Sequence, residues 1–393
     1  MNSGIPPRVV TVGIQGRGSS TVADFGILGP IVRDKANVEL RPVLEDDIMT
    51  RLDWLRSGKI DLFYESSFIP AQNEANRPGE MERSRGPLDM HILASAHSGA
   101  CGYMVRGDSP IRTIHDIGPD TRIAITDMVA NRVYALLAWL GLNEGPIMAD
   151  PSATHWKVEL VRFSSWEANL RSIEERRADV ATATPQNPLV RRAAAGPYGI
   201  RFLDLPVKAE PDGARRFRQV LPFTHLIPAP EEGVEEIWGV TCMVGAACLW
   251  CRPDFDEDVD YGLTKCFDES YEAFKDRGNK LVTYTLDVLN QVAGTAMAPV
   301  HAGTVRYLKA KGLWTAAGDA RQEYNQRLIS WYRDLWEQAI SRADREGIEV
   351  AGANPAWASL WAGCKKEARV PRYRLMNDEE IEAGTRLLKA AGR

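Results

Sequence analysis

Short β-branched runs alternate with stretches of helical period from Val9 to Leu313, and this alternation leaves few folds open to the chain. Val9-Val10-Thr11-Val12-Gly13-Ile14 reads as a strand. Gln15-Gly16-Arg17-Gly18-Ser19-Ser20-Thr21 follows as a Gly/Ser loop with a hydroxyl placed to cap a helix. Such a turn offers backbone N–H groups to an anion, or simply makes a tight strand-to-helix connection. Its spacing fits neither a nucleotide P-loop nor a dinucleotide fingerprint. A second strand, Val38 to Val43, leads through Glu45-Asp46-Asp47 into a helix carrying Ile48, Leu52 and Leu55 on one face. The helix stops at Ser57-Gly58, and a strand resumes at Ile60 to Tyr64. Trp166 to Arg177 (helix) and Val180 to Thr184 (strand) repeat the unit, so the expectation is an α/β protein with mainly parallel sheets.

Two stretches interrupt the rhythm. Ala71 to Pro87 is polar and rich in Asn, Glu, Arg, Gly and Pro, and it reads as an exposed loop able to act as a lid. Beyond Trp314 a helix is expected from about Asp319 to Glu346, with Tyr324, Leu328, Trp331, Leu335 and Ala339 on one face. This tail holds Trp314, Trp331, Trp336, Trp357 and Trp361, nearly half of the 11 tryptophans. It is expected to pack on the body and to cover an opening or an oligomer partner.

Composition excludes several classes. At 44% hydrophobic and 26% charged residues the chain is neither disordered nor collagen-like. A net charge of -5 gives no drive toward nucleic acid or an anionic membrane. The charge-free run Ile237 to Cys251 is 15 residues, short of the roughly 20 of a membrane-spanning helix, so no membrane insertion is expected. The first residues carry no secretion signal. That places the chain in the cytoplasm if Met1 is the native start, and in the periplasm if a signal peptide was removed. Six cysteines in 393 residues are no disulfide scaffold. Cys248 and Cys251 fall on opposite faces of an expected buried strand, where zinc would need four converging ligands, so they read as core. Neither a metal nor a cofactor is implied.

The order of segments resembles one family, the TAXI-type solute receptors of tripartite (TRAP) transporters. The matching stretches are Val12 to Thr21, Leu52 to Leu62, Tyr103 to Ile125, Ala178 to Pro188, Arg252 to Phe274, and Val300-His301-Ala302-Gly303-Thr304-Val305-Arg306-Tyr307-Leu308-Lys309. The resemblance runs from about residue 8 to 314. It implies a type II periplasmic-binding-protein-like fold, two α/β lobes around a cleft, plus a mainly helical C-terminal extension. Lobe one would be 8–112 and 237–313, lobe two 113–236, and the extension 314–393. It also implies a small organic acid or amino acid held in the inter-lobe cleft. TRAP membrane subunits would be partners if the protein is exported, and the extension would be the surface of a homo-oligomer.

The sequence departs from that pattern at the ligand loops. Leu44-Glu45-Asp46-Asp47 stands where the family carries a Ser-Thr-Gly-Gly-Ser type stretch, and Thr126 to Arg132 where it carries a Ser-Gly-Thr type loop. His97-Ser98-Gly99 replaces Tyr-Pro-Glu, and Gln186 stands where the family has Gly. The resulting ligand-binding candidates are Gly16, Arg17, Gly18, Ser19, Glu45, Glu65, His97, Ser98, Thr126, Asn131, Arg132 and Gln186. Glu45, Asp46 and Asp47 read equally as caps of the following helix, since acids are favoured in a first turn. Glu65 reads equally as an exposed turn acid, and Arg17 and Arg132 as surface ion-pair partners. The alternative function is a cytoplasmic enzyme on the same fold, acting on a small carboxylate, for example a decarboxylase. Glu45, Asp46, His97 and Glu65 would then be its acid-base or metal-binding groups.

Overall fold

A computed structural model of the protein describes residues 6–16, 20–76, 78–126, 129–147, 151–222, 224–278, 281–390 and 392. The chain divides into two compact units, residues 1–97 with 246–393, and residues 98–245. It passes from one to the other twice, each time inside a long strand.

The first unit opens with β1 (Arg8–Ile14), α1 (Ser20–Ala36), β2 (Val38–Leu44), α2 (Ile48–Arg56) and β3 (Leu62–Ser66). β1 pairs in parallel with β2 from Arg8↔Val38 to Ile14↔Leu44, and with β3 at Val12↔Leu62. β4 (His91–Arg106) then carries the chain into the second unit. There follow β5 (Arg122–Ile125), α3 (Ala130–Leu140), the short pair β6 (Asn143–Glu144) and β7 (His155–Trp156), β8 (Glu159–Arg162), α4 (Trp166–Glu174), β9 (Ala181–Ala183), α5 (Pro188–Ala194), β10 (Ile200–Leu203), α6 (Pro211–Val220) and β11 (His225–Pro228). β12 (Thr241–Cys251) returns to the first unit, which ends in α7 (Glu257–Glu269), α8 (Tyr271–Phe274), α9 (Leu286–Ala293), α10 (Ala302–Ala310), α11 (Ala316–Glu346), α12 (Pro355–Ala368) and α13 (Asp378–Ala390).

The architecture is α/β with a helical C-terminal region, as the alternation predicts, but the sheets are mixed. In the first unit β12 runs antiparallel to β3, from Ala247↔Ser66 to Cys251↔Leu62. In the second, β9 and β10 pair antiparallel to β4, while β5 and β8 are parallel. Strand alternation sorts the core. Val10, Val12 and Ile14 of β1 join Ala247, Leu249 and Cys251 of β12 on one face of the first unit, against Phe25, Leu28 and Leu263. Ala246, Cys248 and Trp250 face the other way, onto Leu52, Leu55 and Leu289. Cys248 and Cys251 therefore lie on opposite faces, and all six cysteines are buried. In the second unit α3 is buried along most of its length, from Val133 to Trp139, against Phe217 of α6 and Tyr103 of β4. No helix among the described residues is long and apolar enough to cross a membrane.

The polar stretch from Ala71 to Pro87 is not an exposed lid. It forms two 3₁₀ turns, Ile69–Glu74 and Pro78–Glu80, and Asn73, Glu74 and Glu80 in them are buried, as are Ala75 and Met81 just after them. The C-terminal helices cover it. Trp357 Nε1 donates to Met81 O at 2.8 Å, and Trp361 Nε1 donates to Glu74 O and Ala75 O at 2.9 and 3.0 Å. The Glu74 carboxylate accepts from Tyr373 N at 2.8 Å and Arg372 Nε at 3.1 Å. Trp336 sits edge-on to both Trp357 and Trp361, with ring centroids 5.1 and 5.0 Å away. The polarity that marks the stretch as a loop thus satisfies partners nearly 300 residues away, and much of the tail's tryptophan surface is spent on this packing.

Candidate functional site

Each unit carries polar side chains at the C-terminal ends of its parallel strands, where loop N–H groups and helix N-termini converge. In the first unit the acids after β2 are engaged locally. Asp47 is the N-cap of α2 and accepts from Thr50 N at 2.8 Å and Thr50 Oγ1 at 2.6 Å. Burial pushes its carboxyl up, but these bonds outweigh burial and hold it below the usual range. Glu45 accepts from Asp47 N at 3.0 Å, and exposed Asp46 accepts from Gly16 N at 2.8 Å. Asp46 thus occupies the N–H that the first loop would offer to an anion, and a Cβ at position 16 would come within 2.6 Å of Asp46 Oδ1. Arg17, Gly18 and Ser19 lie outside the described residues, as do the side chains of His97 and Ser98 on β4.

Glu65 is no exposed turn acid. Its Oε2 accepts from Arg51 Nη2 at 2.9 Å, and Arg51 is 1% exposed beneath β3. Arg51 also donates to Tyr64 O at 3.1 Å and lies 5.1 Å from the Phe63 ring. Sequence reasoning passed over Arg51, because a basic residue inside an amphipathic helix normally marks its solvent face. The helical spacing of Arg51 with Leu52 and Leu55 was the available signal.

A buried acid–histidine pair lies in the same unit. Asp260 of α7 accepts from His301 Nδ1 at 2.7 Å, from Thr304 N at 2.6 Å and from Thr304 Oγ1 at 2.8 Å, with Asp260 and His301 at 0% and 2% exposure. Thr304 Oγ1 in turn donates or accepts within 3.1 Å of Thr264 Oγ1. Asp260 therefore anchors the segment from His301 to Thr304 against α7.

In the second unit, two of the sequence candidates carry buried polar atoms with no partner among the described residues. Gly102 of β4 pairs with Ala183 at the end of β9, and Ile123 of β5 bridges Val180 just before β9, so the segments that carry Thr126 and Gln186 leave neighbouring strands. Thr126 and Gln186 are 5% and 7% exposed, yet Thr126 Oγ1 and Gln186 Oε1 find no partner among the described residues. Each unsatisfied buried group costs about 1–3 kcal/mol, which a ligand bond would recover. Gln186 Nε2 is fixed by Glu232 Oε2 at 3.1 Å. Gly99, at φ 85°, lies so close to that amide that a Cβ would overlap it.

Beside these groups α3 begins. Val129 at its N-cap supplies no side-chain cap, and Val129 N donates to Thr126 O at 3.1 Å. Asn131 and Arg132 occupy the first turn and are partly exposed. Arg132 O accepts from Tyr103 OH at 2.6 Å and Nη1 approaches Cys101 Sγ at 3.5 Å, while no carboxylate among the described residues pairs with the guanidinium. Burial pushes the Cys101 thiol up, against the pull of Arg132, which favours the neutral thiol. A guanidinium with no carboxylate partner among the described residues, a helix start that its N-cap residue leaves uncapped, a hydroxyl and an amide oxygen are groups of the kind that hold a small anion carrying a hydrogen-bond donor. Among the described residues no group of three His, Cys, Asp or Glu side chains could hold a metal ion.

No protein-family model matches the chain, and no curated protein matches it. Solved structures that it matches include the binding protein of a phosphonate ABC transporter from Pseudomonas aeruginosa, at 13% identity and a TM-score of 0.40, over 86% of this chain and 99% of that one. The periplasmic aliphatic sulphonate binding protein of Escherichia coli matches at 13% identity and a TM-score of 0.41, over 83% and 88% of the two chains. A periplasmic substrate-binding protein of an ABC transporter from Coxiella burnetii matches at 14% and 0.40, over 65% and 91%. Likeness at this level carries no argument about what this chain binds; the residues at the strand ends do.

Proposed function

We propose that the protein binds a small organic acid or amino acid, with the ligand's anionic group taken at the start of α3 by Arg132 and its donor group met by Gln186. The observation that carries this reading is the pair of buried oxygens, Thr126 Oγ1 and Gln186 Oε1, that find no partner among the described residues, in the same unit as the Arg132 guanidinium, which pairs with no carboxylate among those residues. The order of sequence segments supports a TAXI-like receptor of type II periplasmic-binding-protein kind. On that reading the partners after export are the membrane subunits of a tripartite transporter, and the C-terminal extension offers the surface for a homo-oligomer.

Thermal unfolding against a panel of carboxylates and amino acids, with mass spectrometry of each mixture, tests the proposal. A ligand that raises the melting temperature and is recovered unchanged supports binding. A ligand recovered with a mass loss supports the decarboxylase alternative instead.

A further inference from the structure

Gln186 is held from two sides. A Cβ on Gly99 would overlap its amide, and Nε2 donates to Glu232 Oε2 at 3.1 Å. Glu232 belongs to the hairpin loop between β11 and β12, and that loop is firmly placed. Its base is closed by Ala229 N donating to Val240 O at 2.9 Å and by Gly239 N donating to Ala229 O at 3.1 Å. Val234 and Ile237 are buried in the same cluster as Ala181 and Ala183 of β9. Gly233, at φ 77°, sits on the backbone of Pro185, where a Cβ would come within 2.5 Å of the carbonyl carbon. Packing of the loop on the residue before Gln186 therefore delivers the carboxylate to the amide.

An ionised carboxylate only accepts hydrogen bonds, whereas a primary amide has one donating end and one accepting end. Turned over, Gln186 would set its own oxygen against Glu232, so Glu232 decides which end of the amide is left over. The end left over is Oε1, buried and without a partner among the described residues. Donation to a charged acceptor also polarises the amide and makes Oε1 a stronger acceptor. A cationic donor is favoured there over a neutral one, because the Glu232 charge lies directly behind the amide.

We infer, building on the proposed ligand site, that Glu232 is a specificity-determining residue that selects amino acids. By fixing the Gln186 amide it restricts the ligand group at Oε1 to a hydrogen-bond donor, and its charge favours an ammonium. Amino acids then rank ahead of the corresponding 2-hydroxy acids, and 2-oxo acids, which bring only an acceptor, rank last. Glu232 acts through Gln186 and is a positioning residue.

Calorimetric titration of the full chain with the standard amino acids and with their 2-hydroxy and 2-oxo counterparts tests it. Wild type is expected to bind an amino acid about tenfold tighter than the matching 2-oxo acid, as one charge-assisted hydrogen bond implies. Glu232→Gln removes the charge and allows either end of the Gln186 amide to face residue 232, so that about tenfold preference is expected to disappear, with the 2-oxo acid gaining affinity. A merely structural role for Glu232 would weaken every ligand alike and leave the ratio in place. Glu232→Asp, which keeps a carboxylate, is expected to keep the order amino, hydroxy, oxo. A ratio unchanged in Glu232→Gln, or a wild type that prefers the 2-oxo acid, overturns the inference and leaves the ligand site standing. A wild type that binds none of these compounds overturns the ligand site and the inference with it.

Discussion

His301 Nδ1 lies 2.7 Å from Asp260 Oδ2 with both side chains shut off from solvent. Burial pulls the imidazole's pKa down, but the hydrogen bond and charge of Asp260, with the Pro253 and Phe255 carbonyls, outweigh it and raise the pKa above its usual value. A histidine whose folded pKa is raised adds stability that is full below the unfolded value, about 6.5, and is lost as pH rises through the folded value. The resistance of wild type to urea should therefore fall as pH rises above about 6.5. Asp260→Asn should remove that dependence and cost about 3–5 kcal/mol, the usual penalty for leaving one member of a buried pair. An identical pH slope in the variant would show that the pair is not charged.

Lys365 gives the opposite slope in a different window. Its amine donates to Glu74 O at 2.7 Å and to Asn76 Oδ1, yet burial dominates, and the pKa is lowered to about 8. In the unfolded chain the same lysine stays charged to about 10.4. The folded state thus binds fewer protons between these values, so stability is expected to rise with pH across that interval. Replacing Lys365 with Met should flatten the rise, as read by denaturant midpoints across the interval from the folded to the unfolded pKa.

The Glu74 carboxylate ties the segment before β4 to the C-terminal tail through Tyr373 N and Arg372 Nε. Glu74→Gln should loosen that tie and destabilise the chain by about 2–4 kcal/mol, because Arg372 and the Tyr373 amide then face a neutral group in place of a buried charge. Limited proteolysis is the sharper readout: the variant should be cut first between residues 77 and 86. Cleavage elsewhere first, at the same rate as in wild type, would mean that the tail does not protect this segment.

How far the sequence already contained this structure differs by element. Alternation of β-branched and amphipathic runs announced β1, α2, β3, α4 and α11 close to their observed limits, because each depends on a local period. Asp47 as a cap was equally local. The role of Ala71 to Pro87 was not legible, since its burial depends on Trp357 and Trp361, nearly 300 residues later, and polarity alone reads as exposure. Arg51 and Asp260 were missed for a related reason: a charged residue signals solvent until its buried partner is known. At the candidate site, Thr126, Arg132 and Gln186 were named from loop position, whereas the unsatisfied state of two of them is visible only once packing is known.

Gly99 tests whether the Gln186 amide is held as described. At φ 85° and against that amide, Gly99→Ala is expected to cost roughly 1–3 kcal/mol of strain and to displace Gln186. Ligand affinity should fall with it. A stability equal to wild type would show that the loop relaxes without penalty.

On the ligand-binding reading the Thr126 and Gln186 oxygens, without partners among the described residues, and the guanidinium at the start of α3 are kept for a ligand. Calorimetric titration of wild type, Thr126→Val and Arg132→Gln with whichever carboxylate or amino acid stabilises the protein measures it directly. Thr126→Val removes a buried hydroxyl that finds no partner among the described residues, so the ligand-free variant should be as stable as wild type or more so, yet bind about tenfold more weakly. Arg132→Gln should lose at least as much affinity. Wild-type affinity in both variants would contradict the account and place the ligand elsewhere in the chain.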